Sequence, residues 1–257
     1  MQALLQLSHR LGDPERRWAI LGEGNASARL GTETFLVKAS GSRLGSLTAA
    51  QVAEVRFAPL LAALETAPSK GEMSDSAVQA LLASATHSPA GVVPSTETLM
   101  HAFLLTLPGV EFVGHTHVTS INGLLCSVRG WEFLVAGERL FPDEIVVCGP
   151  APCCVPYADP GIPLARRVQQ EVQGYHGRYG LFPRTIYLQN HGFVALGGSA
   201  NEVEDIHQMA DKSAQILAAA LAIGEAHPLT PNNTARIFTW PAEHFRQKAL
   251  GLTPAES

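Results

Sequence analysis

The sequence predicts a single α/β domain in which helices cover both faces of a central sheet. Helical and strand-like patterns alternate along all 257 residues, and no low-complexity linker or internal repeat divides them. Hydrophobic residues make up 46% of the chain, which is enough for one packed core at this length. We expect one domain over residues 1–257, with residues 227–257 as a C-terminal extension.

The first half of the chain is expected to hold four helices and three strands. Apolar spacing near 3.6 residues predicts helices over 2–11, 48–64, 74–85 and 94–107. Thr48 is the predicted cap of the second helix, and Ser95 or Thr96 that of the fourth. Short β-rich runs predict strands over 26–30, 34–38 and 110–115, and a turn at Gly31 makes the first two a hairpin.

The second half repeats the alternation with shorter strands. A helical pattern follows the polar turn 116–120, and further helices are predicted over 163–176 and 201–224. Strands are predicted over 144–148, 185–188 and 193–195, and Asn190-His191-Gly192 forms the turn between the last two. These patterns leave the order and direction of the strands open.

Charge and composition exclude several classes of partner. The chain has 18 basic and 23 acidic residues and a net charge of -5, so it lacks the basic surface that binds nucleic acid or an anionic membrane. No apolar run approaches the roughly 20 residues that span a bilayer, and the start does not resemble a signal peptide. We expect a soluble, cytoplasmic protein that acts on a small molecule. The four cysteines lack metal or redox spacing, which indicates reduced, mostly buried thiols.

Three of the ten histidines are placed where they could bind one metal ion. His115 and His117 end a predicted strand, where side chains two residues apart point to the same face. His191 lies in a turn after another predicted strand. Three imidazoles with a fourth position open suit a catalytic divalent cation, zinc first, whereas an HxH pattern alone is more often structural. The other seven histidines are interpreted as surface or core residues.

Three short polar loops beside predicted strands are candidates for an anion site. They are Gly22-Glu23-Gly24-Asn25, Ser40-Gly41-Ser42 and Pro94-Ser95-Thr96-Glu97. In the last loop, capping of a helix start explains the hydroxyls and the acid without any ligand. The alternative is that free backbone amides and hydroxyls bind a substrate phosphate, with Glu97 beside it as an acid or base.

Taken together and in this order, the motifs resemble the class II aldolase/adducin family. The resemblance runs from about residue 5 to residue 220 and is far more specific than any one motif. Its parts are the segments 22–27, 38–41, 94–97 with His101, 114–117 and 188–192. The best-known members are zinc-dependent fuculose- and rhamnulose-phosphate aldolases and ribulose-phosphate epimerases. The resemblance implies a three-layer α/β/α sandwich with a mostly antiparallel central sheet, and a homotetramer with sites between subunits.

The resemblance also implies roles for individual residues. His115, His117 and His191 would be the ligands of Zn²⁺, with Mn²⁺ or Co²⁺ as alternatives. Glu97 would be a further ligand in the empty site and the proton-transfer group in the loaded one. The implied phosphate cradle consists of Asn25, Ser40, Gly41, Ser95 and Thr96.

Three functions follow as alternatives. The first is an aldolase-type lyase that acts on a sugar phosphate or related hydroxy-carbonyl compound through an enediolate, and Glu97 favours it because the epimerase branch carries Asp there. The second is a dehydratase, epimerase or decarboxylase with the same enediolate chemistry. The third is a non-catalytic interaction domain such as the adducin head, which has lost the ligand histidines that this chain retains. Glu23 places an acid in a phosphate loop, so a carboxylate or neutral polyol is an alternative substrate.

Overall fold

The computed structural model describes residues 1–66, 73–87 and 92–249. Its strands are β1 (Asn25–Arg29), β2 (Thr34–Lys38), β3 (Val52–Arg56), β4 (Phe112–Thr116), β5 (Cys153–Val155), β6 (Thr185–Leu188) and β7 (Gly192–Gly197). They form one seven-stranded sheet in the order β3-β2-β1-β4-β7-β6-β5. Every neighbouring pair is antiparallel except β5 and β6. The predicted mostly antiparallel sheet is therefore confirmed.

Helices cover both faces of the sheet. They are α1 (Gln2–Leu11), α2 (Phe57–Thr66), α3 (Asp75–Ala85), α4 (Thr98–Leu104), α5 (Thr119–Leu125), α6 (Val128–Val135), α7 (Pro142–Cys148), α8 (Ile162–Tyr179), α9 (Ala200–Ile223), α10 (Pro231–Thr239) and α11 (Pro241–Ala249). One apolar core joins the sheet to α2, α3, α4 and α8, and a second joins it to α1, α5, α6, α7 and α9. This is the three-layer α/β/α sandwich that the resemblance implies.

The C-terminal helices α10 and α11 both contact α7. They cover most of the predicted C-terminal extension, and residues 250–257 lie outside the described part of the chain. The division of the chain at residue 227 stays a prediction. Among the described residues, no helix is long and apolar enough to cross a membrane.

Strand β4 lies at the centre of the sheet; it contains His115, and His117 directly follows its last residue. It pairs with β1 on one side, where Asn25 lies opposite His115, and with β7 on the other, where Val194 lies opposite His115. Side chains alternate between faces along a strand, so His115 shares the face of Val113, whose side chain packs in the core with α4. The register therefore aims His115 and Asn25 at the layer that contains α4.

Two predicted elements have the wrong type. Residues 52–56 of the predicted helix 48–64 form β3, and the helix begins only at Phe57. Val52 and Val55 are buried, and pairing of β3 with β2 supplies backbone hydrogen bonds that local helix signals cannot outweigh. Conversely, the strand predicted over 144–148 is helix α7, which starts at Pro142, a residue well suited to a first helical turn.

The cysteines behave largely as expected. All four are free thiols, and Cys148 and Cys153 are buried, whereas Cys126 is exposed. Burial raises the pKa of Cys148 to about 12, so this thiol stays protonated near neutral pH.

Neither β5, which contains Cys153, nor α6 is predicted by the sequence patterns.

Candidate active site

The imidazoles of His115, His117 and His191 meet at one point of the sheet. Their ring centroids are 5.1, 5.1 and 5.2 Å apart, and one ligand atom from each lies within 4.8 Å of the others. His115 is buried, and the other two are partly exposed. The structure thus brings the three histidines together as predicted, in an arrangement that one cation could bridge.

Local backbone features produce this convergence. His115 and His117 leave the end of β4, and His191 precedes β7, the neighbouring strand. Asn190 has a φ of 54°, and this left-handed conformation, which asparagine tolerates better than most residues, turns the chain between β6 and β7. Position 192 requires glycine because there is no room for a side chain: an added β-carbon would lie 2.8 Å from Cδ2 of His117.

The protonation pattern of His115 suits a metal ligand. Its Nδ1 lies 3.1 Å from the carbonyl oxygen of Phe193, which can only accept a hydrogen bond, so Nδ1 carries the proton. The buried Nε2 has no hydrogen-bond partner. A buried imidazole nitrogen without a partner is costly, and an ion would satisfy it. The residues present therefore fit a divalent cation.

Glu97 lies against the histidines. Its Oε1 is 3.1 Å from Nε2 of His191, and its Oε2 is 3.6 Å from Nε2 of His115. The side-chain amide of Asn25 donates a hydrogen bond of 2.6 Å to the same Oε2. Glu23 approaches the cluster elsewhere, with its Oε1 3.8 Å from Nδ1 of His117.

The pKa shifts of Glu97, His115 and His117 follow from these contacts. Burial opposes ionisation of Glu97, but the charge of His115 and the close contacts with the rings of His115 and His191 outweigh it and hold the pKa of Glu97 well below its usual range. For His115, burial lowers the pKa, and the charge of Glu97 more than compensates, so the pKa is raised. Burial and the charges of His115 and His191 lower the pKa of His117 to about 3.

The three polar loops adjoin one another as predicted. Ala39 forms an isolated β-bridge with Pro94, and the backbone amide of Ser40 donates to the carbonyl of Val93. These contacts join the loop that contains Ser40 and Gly41 to the loop that contains Ser95 and Thr96. The third loop, Gly22-Glu23-Gly24-Asn25, leads into β1, and the side chain of Asn25 contacts Glu97. The five residues of the implied cradle therefore lie on adjoining segments.

The predicted helix cap is wrong. Helix α4 begins at Thr98, so Ser95 and Thr96 precede it in a turn, and neither side chain caps its first turn. Instead, the Ser95 hydroxyl accepts a hydrogen bond of 3.3 Å from the backbone amide of Glu97. This short local bond forms a turn of the kind that Ser favours, and it delays the start of the helix.

Sequence reasoning missed Lys38, which is only 2% exposed. Its ammonium group donates to the carbonyl of Ser42 at 2.7 Å and lies 3.5 Å from the carbonyls of Ala39 and Gly22. Burial lowers the pKa of Lys38, and the charge of Glu97 opposes that effect. Lys38 thus links the loop that contains Gly22 to the loop that contains Ser42. Its place in the Lys38-to-Gly41 motif could have indicated a role at the site.

His101, predicted as a surface or core residue, is a core residue with a polar role that the sequence reasoning did not assign. It is fully buried, and its Nε2 hydrogen-bonds to Oδ1 of Asn25. Its Nδ1 lies 2.7 Å from the hydroxyl of Ser27. His101 therefore belongs to the polar network that surrounds Glu97, and its spacing of four residues from Glu97 could have indicated this.

Comparison with known proteins agrees with this architecture. The family model described as Class II Aldolase and Adducin N-terminal domain matches residues 2–218. Methylthioribulose-1-phosphate dehydratase of Yersinia enterocolitica is 30% identical over 213 residues, which cover 78% of this chain and 82% of that protein. The solved N-terminal class II aldolase domain of a conserved protein from Thermoplasma acidophilum has 25% identity and a TM-score of 0.63, over 84% of this chain and 92% of that one.

A solved L-fuculose 1-phosphate aldolase shares the fold with a TM-score of 0.68 over 95% of each chain, at 18% identity. The fold and the site thus define a protein of the class II aldolase superfamily, an enzyme superfamily that typically depends on a divalent metal ion. The chain belongs to the class II aldolase and adducin family.

Proposed function

We propose that this protein is a metal-dependent lyase that removes water from a phosphorylated ketose. The observation that supports this proposal is the histidine cluster: one ligand atom each of His115, His117 and His191 lie within 4.8 Å of one another. An oxygen of Glu97 lies 3.1 Å from Nε2 of His191. The name of the Yersinia enterocolitica relative, a dehydratase 30% identical to this chain, supports loss of water as the reaction.

His115, His117 and His191 would hold the cation, zinc first, because neutral imidazoles are favoured ligands of zinc. A bound divalent cation supplies Lewis-acid stabilisation of the negative charge that develops on the substrate oxygens. The hydrogen bond from His115 Nδ1 to the Phe193 carbonyl supports this assignment, because it leaves Nε2 free to act as a ligand.

Glu97 is the proposed proton-transfer group. Its carboxylate accepts the proton from the carbon next to the substrate carbonyl, and the electron pair of that C–H bond forms an enediolate. The electrons of the enediolate then shift to form a carbon–carbon double bond to the following carbon, whose bond to its hydroxyl group breaks. Glu97 returns its proton to the departing hydroxyl, which leaves as water, and the remaining enol tautomerises to a ketone. The hydrogen bond from Asn25 holds the Glu97 carboxylate in position during the first step.

The substrate phosphate is proposed to bind at the adjoining polar loops. Ser40, Gly41, Ser95 and Thr96 offer hydroxyl and backbone donors there, and the ammonium group of Lys38 lies buried beneath them. A buried positive charge and several donors favour a multiply charged anion over a neutral polyol.

Aldol cleavage is the second candidate, and the side chain at residue 97 favours it. The Glu97 carboxylate matches the aldolase branch of the family, and cleavage of a carbon–carbon bond would pass through the same enediolate. In that reaction, the proton removed first comes from the substrate hydroxyl rather than from carbon, and the enediolate is protonated afterwards. The proton donor for this last step has no assigned residue.

An assay panel distinguishes the two reactions. Methylthioribulose 1-phosphate, fuculose 1-phosphate and ribulose 5-phosphate are incubated with protein loaded with zinc, manganese or cobalt. Mass spectrometry then follows loss of 18 mass units or cleavage to dihydroxyacetone phosphate, and chromatographic separation of the sugar phosphates follows isomerisation, which leaves the mass unchanged. Loss of water supports the proposal, dihydroxyacetone phosphate supports aldol cleavage, and no turnover under any condition contradicts both.

Metal analysis tests the binding site separately. Protein purified without chelator is expected to hold close to one divalent ion per chain, and His191→Ala is expected to lose it. His176→Ala is the matched control, because His176 lies on α8 and stacks on Phe182. Full occupancy in His191→Ala would contradict the proposed metal site.

We also propose a homotetramer with active sites between subunits, which the family resemblance alone supports. Light scattering of the purified protein is expected to give four times the mass of the 257-residue chain. A monomeric mass would contradict this assembly.

A further inference from the structure

Four polar side chains form a continuous hydrogen-bonded row beside the cluster of His115, His117 and His191. Ser27 contacts Nδ1 of His101 at 2.7 Å, Nε2 of His101 contacts Oδ1 of Asn25, and Nδ2 of Asn25 contacts Glu97 at 2.6 Å. Ser27 and His101 are fully buried, and Asn25 is 3% exposed. Only Glu97 reaches the histidine ligands, so the row leads from the protein interior to the site.

Matching repeats of a strand and a helix build this row. Asn25 and Ser27 are two residues apart on β1 and therefore share a face. Glu97 and His101 are four residues apart, and the backbone bond from the amide of His101 to the carbonyl of Glu97 shows that they stack along one helical turn. Both spacings are about 6 Å, so each side chain of β1 meets its partner on the helix.

For a neutral His101, one arrangement of protons satisfies every member of the row. The ionised Glu97 can only accept, so Asn25 donates with Nδ2 and presents Oδ1 to His101. His101 must then donate from Nε2, which leaves Nδ1 as the acceptor for the Ser27 hydroxyl. The imidazole is neutral near pH 7, because burial together with the charge of His115 lowers the pKa of His101 to about 3.

The fixed direction matters because the two ends of an asparagine amide have nearly the same shape. If His101 did not donate, the amide of Asn25 could rotate by 180° and direct its oxygen at Glu97 and at the substrate. Two acceptors would then face each other, and the site would lose a donor for an anionic oxygen. The NH₂ group of Asn25 therefore stays directed at Glu97 only if His101 keeps its proton on Nε2.

We propose that His101, oriented by Ser27, is a positioning residue that locks the Asn25 amide with its NH₂ group toward Glu97 and the substrate anion. Its effect on substrate binding rests on the proposed function, because the anion is the proposed phosphate. The lock itself is a property of the protein alone and can be observed without substrate.

Ser27→Ala is the sharpest test, because it removes one hydroxyl and leaves the ring of His101 in place. Loss of that hydroxyl removes the hydrogen bond to Nδ1 that favours the proton on Nε2, so the preference for this tautomer weakens. In wild type, ¹⁵N NMR of the imidazole is expected to show His101 with its proton on Nε2 only. In Ser27→Ala, a population with the proton on Nδ1 is expected.

Ser8→Ala is the matched control. Ser8 is another fully buried serine, its hydroxyl donates to the carbonyl of Leu4 at 2.8 Å, and it lies on α1 in the opposite layer. It is expected to leave the His101 spectrum unchanged. A proton on Nδ1 of His101 in wild type, or an unchanged spectrum in Ser27→Ala, would overturn the lock.

Binding of inorganic phosphate links the lock to the site. Calorimetry on Ser27→Ala and His101→Gln is expected to show a dissociation constant about tenfold higher than wild type, as for loss of a hydrogen bond to a charged group. In an Asn25→Ala background the same substitutions are expected to have no further effect, because they act through Asn25. An equal loss in both backgrounds would mean a general structural defect and would overturn the proposal.

The two proposals fail in different ways. If wild type binds no phosphate and turns over no ketose phosphate, the proposed function fails, whereas the NMR measurement still decides the lock. If wild type binds phosphate but the coupling between Ser27 and Asn25 is zero, the lock fails and the proposed function stands.

Discussion

Gly192 lies against the ring of His117, and a β-carbon at residue 192 would be 2.8 Å from Cδ2 of that ring. The contact arises one step beyond the pairing of Thr116 with Phe193, where β4 and β7 begin to separate. The same β-carbon would be 2.6 Å from the carbonyl oxygen of Thr116, which belongs to the backbone and cannot easily move. The glycine of the Asn-His-Gly turn is therefore required for space rather than for turn geometry.

Replacement of this glycine tests the geometry of the histidine cluster. Gly192→Ala is expected to displace His117 or His191 and to weaken zinc binding about tenfold or more, because metal sites require ligand positions within a few tenths of an ångström. Competition with a chelating dye measures the affinity. Gly174→Ala is the control, because no atom lies within 4 Å of a β-carbon added there. Equal affinity in both variants would contradict the crowding argument.

Glu97→Gln tests the proton-transfer role. The amide keeps the size of the side chain but cannot accept a proton, so the rate of any lyase reaction is expected to fall by about 10²-fold or more. Metal content and the circular dichroism spectrum are expected to stay close to wild type. Glu132→Gln, an exposed change on α6, is the control. A full rate in Glu97→Gln would remove Glu97 from the mechanism.

Glu23→Gln tests how the loop acid affects the anion. Glu23 accepts a hydrogen bond of 3.0 Å from the backbone amide of Ile20 and lies beside His117, so its charge opposes a nearby phosphate. Removal of that charge is expected to tighten phosphate binding about threefold at low salt and less in 0.5 M salt. Glu15→Gln makes the same charge change at an exposed position and serves as the control. Weaker binding in Glu23→Gln would show that Glu23 supports the site.

His207 predicts a specific acid sensitivity of the fold. Burial, together with the charges of His115 and Arg16, lowers the pKa of this histidine from 6.5 to about 4, although its bond to the Val203 carbonyl and the charge of Asp211 oppose the shift. Above pH 6.5 the imidazole is neutral in both states. As the pH falls toward 4, only the unfolded chain takes up the proton, so the free energy of unfolding decreases by about 1.4 kcal/mol per pH unit from this residue.

Urea unfolding of metal-free protein between pH 7 and pH 4.5 measures this slope. His207→Gln is expected to have a shallower slope than wild type, whatever its stability at neutral pH. The difference between the two slopes isolates His207 from His115, whose raised pKa has the opposite effect. Parallel curves would contradict the prediction.

The parts of the site that the sequence predicts are those with short, rigid spacing. His115 lies on β4 and His117 directly follows its last residue, Thr116, so the extended backbone at the strand end brings both side chains to one face. The approach of His191 depends on the pairing of β4 with β7, which local patterns leave open and which only the family resemblance supplied. The hydrogen bond between Asn25 and His101 likewise joins residues 76 positions apart. The spacing of His101 from Glu97 indicates a shared helix face but not this contact with β1.

The errors in the fold have a related cause. Residues 52–56 carry a helical apolar pattern, yet they form β3 because β2 offers them a pairing edge. Residues 144–148 contain three consecutive β-branched residues, yet they form α7, which packs against α9. In both segments, partners distant in sequence outweigh local propensity.

The central position of β4 has a consequence for how enzymes of this architecture diversify. The residues proposed to bind the cation lie on or next to strands that are hydrogen-bonded on both sides, so a change there disturbs the sheet itself. The residues proposed to recognise the anion belong instead to turns, which tolerate insertion and exchange. Substitutions in those turns can therefore alter the preferred substrate while the reaction chemistry is inherited unchanged.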